Sequence, residues 1–158
     1  AERLVHLRWP ASASAFVDHR EDHGYSLSPW HEYAAYEGQF SDLNVESTDA
    51  FADSIAEEVG WQLLNHTGAS DMYTAETELW KKNEQKMLPL WIATALKDRG
   101  AVYTPESLLS RSFDPWLHAG AENLHLDCDQ LADLYTHIAY RLDLEFSEVM
   151  APLHVYIR

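Results

Sequence analysis

The sequence predicts an α+β domain dominated by helix, and three observations carry that expectation. Apolar residues recur at helical spacing over residues 49–64 and 131–142, short alternating apolar runs stand near both ends (residues 3–9 and 153–157), and Pro and Gly divide the middle into several short helices. With 158 residues, 46% hydrophobic and 12% aromatic, the chain suits one domain with a packed core. Residues 1–65 read as an N-terminal part packed on a lobe of residues 71–158, because about 65 residues alone would make a marginal core.

The formal charge of −15, with only 11 Lys and Arg, argues against a nucleic-acid or anionic-membrane partner and suits a basic peptide or protein. A single cysteine excludes an internal disulfide framework and a multi-cysteine metal site. No run approaches the roughly 18 apolar residues of a membrane span, so a soluble protein is expected, with its compartment left open between cytoplasm and periplasm or exterior. The chain opens on Ala1-Glu2 rather than Met, as a processed or trimmed start would.

In order, Leu4, Val5, Leu7 and Trp9 suggest a strand ended by Pro10. The polar run that follows holds His19 and His23, four apart and on one face if helical, a spacing that suits a divalent metal with Asp18, Asp22 or His31 as a third ligand. A hydrolytic zinc motif would need Glu directly after the first His, and that position is Arg20. A solvated acidic turn explains the same residues, so metal binding stands as a minor alternative.

Ser28-Pro29 predicts a helix start and Gly38 its end, over residues 29–36, with Trp30, Tyr33 and either Tyr36 or Ala34 along one side. Ser47 or Thr48 is expected to cap a helix over residues 49–64, with Phe51, Ile55, Val59 and Leu63 inward and Asp53, Glu57 and Glu58 toward water. The cluster 65–70 breaks the chain, residues 71–86 form a helix with acids early and lysines late, and Pro89 opens an almost uniformly apolar helix that Gly100 stops. Two short helices are expected after Thr104-Pro105 and Asp114-Pro115.

Asp127, Cys128 and Gln130 fit N-cap, N1 and N3 of a capped helix whose buried stripe is Leu131, Leu134, Tyr135, Ile138 and Leu142. A helix N-terminus favours thiolate, the form that attacks carbonyls, and His154 in a following strand, on the same face as Tyr156, offers a general base. A lone cysteine is more commonly a small buried hydrophobe, but Asp-Cys-Asp is not an apolar setting, and its two carboxylates oppose thiolate formation. His125 and His137 suit the base role less well, one lying too close before the cysteine and the other well along the same helix.

Two phrases in the last third resemble the transglutaminase-like, papain-related cysteine enzymes, most closely their bacterial SirB1-type branch. Ala139-Tyr140-Arg141-Leu142-Asp143-Leu144 is similar to an Ala-x-Arg-Leu-Gly-Leu phrase, and Pro152-Leu153-His154 to a Pro-Gly-His phrase in a strand; Ser112-Phe113 matches a Ser-Phe pair of that branch. The resemblance implies a small antiparallel sheet against the nucleophile helix and acyl transfer on a peptide or protein amide without a cofactor, with Cys128 as nucleophile and His154 as general base. Asp143 and Leu153 stand where the family has Gly. The family's third triad residue, an Asp or Asn on the strand after the histidine, would fall beyond Arg158, so the third member is unassigned: either the chain is a piece of a longer protein, or the orienting group comes from elsewhere, or the module does not catalyse. The other expectation is a non-catalytic interaction module on the same fold, its acidic and aromatic surface recognising a partner.

Overall fold

The computed structural model describes residues 28–144 with their side chains and the backbone of residues 148–151 and 154–157. The expected strand over residues 3–9 and the His19–His23 pair lie outside the described residues. Helix α1 (Pro29–Gly38) begins as the sequence predicts: the Ser28 hydroxyl accepts from His31 N at 3.3 Å and Pro29 occupies the first turn. Trp30, Ala34 and Glu37 form its buried stripe, while Tyr36, one of two residues offered for that stripe, is 63% exposed.

Helix α2 (Val45–Thr67) starts four residues before the expected Asp49, because Asn44 caps it by accepting from Ser47 N at 3.1 Å. The hydroxyl of Thr48 instead donates back to Val45 O, which is helix-interior behaviour. Phe51, Ile55, Val59 and Leu63 are fully buried as expected, but Asp53 is buried too, against the expectation that it faces water. Gly68, at φ 71°, ends the helix in the left-handed conformation, its N–H bonded to Leu64 O. Helix α3 (Met72–Lys81) is capped by Asp71 and stops short of Lys86. Helix α4 (Met87–Asp98) absorbs Pro89 in its first turn, where a missing N–H costs no helical bond. It is not buried all round: Leu88, Ile92, Ala95 and Leu96 face the core while Leu90 is 63% exposed.

Strand β1 (Ala101–Tyr103), helix α5 (Leu109–His118) and strand β2 (Leu124–Leu126) follow. The two short helices expected here are one, with Pro115 inside it. Phe113 and Trp116, packed with Phe51 at ring distances of 5.2–5.8 Å, hold α5 against the core across the bond that Pro115 removes. Strands β1 and β2 pair in parallel, Ala101 with Leu124 and Tyr103 with Leu126, so the pair leading into the cysteine helix is not the antiparallel sheet expected. The helical crossover through α5 returns the chain in its original direction, as a tight hairpin would not. The groups of Leu124 and Leu126 face β1, as Leu124 N→Gly100 O and Thr104 N→Leu126 O show. His125 faces the other way, where its N–H donates to Ser112 Oγ and its carbonyl accepts from Ser107 Oγ.

Helix α6 (Cys128–Leu142) packs on α1 and α2. Leu134, Ile138 and Leu142 are buried as predicted, and Leu131 and Tyr135 half-buried. Strands β3 (Glu148–Ala151) and β4 (His154–Ile157) pair antiparallel with Ala151 opposite His154, and β4 lies along α6. The architecture is a helix-rich α+β arrangement, and its core joins every helix from α1 to α6. No helix among the described residues is long and apolar enough to cross a membrane.

Candidate functional site

Cys128 is the first residue of α6, at the point where β2 gives way to helix. The cap is complete: Asp127 Oδ1 accepts from Gln130 N at 2.9 Å, and Gln130 Oε1 accepts from Asp127 N at 3.0 Å. Cys128 itself is partly exposed, and among the described residues its backbone N–H has no hydrogen-bond acceptor. Its thiol points to Asp129 Oδ1, 3.7 Å away. Partial burial pushes the Asp127 carboxyl above its usual range, against the hydrogen bond from Gln130.

Gln130 joins this helix start to α1 and to the loop before α5, because its amide nitrogen donates to Tyr33 Oη at 3.1 Å and to Ser107 O at 2.9 Å. Burial raises the Tyr33 phenol to about 12, with the Glu37 and Asp127 carboxylates adding to the rise and Gln130 opposing it. One turn further along α1, Glu37 accepts from Leu109 N and Ser110 N, both at 2.9 Å, capping α5 across 72 residues of sequence. Beside Glu37 opens a cleft of about 520 Å³ between the end of α1 and the start of α5.

His154 opens β4, the strand that lies along α6. Its side chain lies outside the described residues, as does any group behind it. The described residues bring together the cysteine helix and the histidine strand as elements.

A second polar constellation escaped the sequence reading. His137 is completely buried, its Nδ1 facing Ser28 Oγ at 2.5 Å and its Nε2 facing Asp53 Oδ1 at 3.0 Å. Asp53 Oδ1 also accepts from Arg141 Nε at 2.8 Å. With Asp53 ionised, the neutral ring that satisfies both contacts carries its proton on Nε2 and accepts the Ser28 hydroxyl proton at Nδ1. Ser28 and His137 are both 0% exposed, and this Ser–His–Asp chain ties α1, α2 and α6 together. The signal was present: Asp49 and Asp53 are spaced i, i+4 on the face of α2 that carries Ala52 and Ala56, and His137 and Arg141 repeat that spacing on α6.

His31, the metal candidate within the described residues, contacts Asp49 Oδ2 through Nδ1 at 2.7 Å. Burial raises the Asp49 carboxyl, and His31 counteracts that rise. Among the described residues no three His, Cys, Asp or Glu side chains converge on a metal position. A comparison of the chain with protein-family models, curated proteins and solved structures finds no match.

Proposed function

We propose that the chain is a cysteine acyl-transfer domain of transglutaminase-like type, with Cys128 as nucleophile and His154 as general base. The observation that carries this reading is Cys128 at the first position of a helix closed by a full capping box, with the strand that begins at His154 lying along that helix. The resemblance of the 139–144 and 152–154 phrases supports it, and so does the Cys128 N–H, which has no acceptor among the described residues and lies at a positive helix end.

In this reading His154 removes the thiol proton and the Cys128 sulfur attacks the carbonyl carbon of an amide. The Cys128 N–H donates to the resulting oxyanion, and the C–N bond breaks as the amine leaves with the proton from His154. Water or a second amine then attacks the thioester and releases the thiolate. One contact favours a second reading: the thiol is directed at Asp129 Oδ1 rather than at a base, which suits a non-catalytic interaction module. Iodoacetamide labelling near pH 7 separates the two. Fast labelling of Cys128 that drops about tenfold or more in His154→Ala supports the enzyme, since the imidazole that takes the thiol proton is then missing. A Cys128 that reacts only after denaturation eliminates it.

A further inference from the structure

The cleft beside Glu37 is built from both ends. Tyr36 and Phe40, four residues apart, meet edge to face at 5.5 Å, and they are 63% and 76% exposed, so neither ring is used by the core. Asp42 lines the cleft on a short loop that is held in place: the Ser41 hydroxyl donates to Glu37 O at 2.8 Å and accepts from Leu43 N, and Leu43 is anchored in the core. Among the described residues the Asp42 carboxylate has no hydrogen bond or ion pair, whereas the Glu37 carboxylate on the floor is fully engaged by α5. Leu108 and Arg111 form the opposite wall.

We infer that this cleft holds a cationic side chain, lysine or arginine, of a peptide segment, with the ammonium or guanidinium against the Tyr36–Phe40 rings and the Asp42 carboxylate. That this peptide is the substrate rests on the acyl-transfer reading; the cation site does not. Electron-rich ring faces attract cations, and a free carboxylate at their edge adds a charge-assisted partner. Arg111 also lines the cleft, on the α5 side, so the ligand's cation belongs on the α1 side, away from that like charge. The chain's formal net charge of −15 draws such a ligand from a distance. The link to Cys128 is short, because Glu37 lies one helical turn from Tyr33, and Tyr33 touches Gln130, two residues into the cysteine helix. A volume of about 520 Å³ accommodates a side chain with its flanking backbone.

The experiment is an amide chemical-shift titration of the full chain carrying Cys128→Ala, which removes the proposed chemistry. The ligands are acetyl-Gly-Lys-Gly-amide and its norleucine and glutamate counterparts. The lysine peptide is expected to give saturable shifts confined to residues 36–42 and 108–111, weakened about two- to fivefold by Asp42→Asn and further weakened by salt. Equal shifts with norleucine, preferential binding of the glutamate peptide, or no response of these residues to the lysine peptide each overturns the inference. Lysine binding alongside an inert Cys128 upholds the cation site and makes the peptide a partner rather than a substrate.

Discussion

Asp53 receives a ring nitrogen from His137 and the Nε of Arg141 on one carboxylate oxygen, and all three side chains are buried. Asp53→Ala leaves a buried guanidinium without this carboxylate and is expected to cost about 3–5 kcal/mol in denaturant unfolding. Ser28→Ala removes the single bond to His137 and weakens the α1 cap, at a cost of about 1–2 kcal/mol. A loss below 1 kcal/mol in Asp53→Ala would mean that the network contributes specificity rather than stability. Tyr33 gives a pH signature: its folded pKa of about 12 lies above the ordinary tyrosine value of about 10, so the folded state holds the proton where the unfolded state releases it. Its contribution to stability is therefore full below pH 10 and is lost as pH rises from there toward 12. Absorbance at 295 nm is expected to show late ionisation of Tyr33 and of Tyr135, which burial also raises, and the Tyr33 part disappears in Tyr33→Phe. Helical spacing assigned Trp30, Phe51 and Ile138 to the core, but it could not tell that Asp53 turns inward. That depends on the His137 ring and the Arg141 guanidinium reaching it from α6, and the matching i, i+4 spacings of the two helices show it only once the helices are known to pack together.

At the scale of elements, the cap of α2 and the joint before β1 carry separate predictions. Asn44→Ala is expected to cost about 1 kcal/mol while Ser47→Ala costs much less, because Ser47 is the residue that donates its N–H and not the cap. Gly100, at φ 85°, lies so close to Glu122 that an added Cβ would stand 2.4 Å from its carbonyl oxygen. Gly100→Ala is therefore expected to cost more than the roughly 1 kcal/mol of left-handed strain alone, read as a lower melting temperature. Gly100 as a helix stop and the Asp127–Gln130 box were legible because caps are written in neighbouring residues. Strands β1 and β2 were not legible, since three residues hold too little alternation to mark a strand. The Pro115 break was overread: Pro forbids one bond but not a helix whose aromatic side chains are buried on both sides of it.

Over the whole molecule, a charge of −15 means that the folded state confines like charges that the unfolded chain keeps further apart. The melting temperature is expected to rise between about 10 and 150 mM salt as the screening length falls from about 30 to 8 Å. An unchanged value would show that the described ion pairs, such as Arg99–Glu58 at 3.1 Å, already offset the repulsion. The helix-rich α+β class was readable because it rests on composition and period. The cleft was not, because it exists only once Glu37 has reached across to α5. The β1–β2 pair sets a limit on how copies of the chain associate. Among the described residues the outward groups of Ala101 and Tyr103 on β1 have no partner, while the outer side of β2 is closed by the Ser107 and Ser112 hydroxyls. Growth through a sheet needs two open sides per copy, and among the described residues this pair offers one, so Ser112→Ala, which opens part of the second, is expected to raise the tendency to associate, read as light scattering on heating.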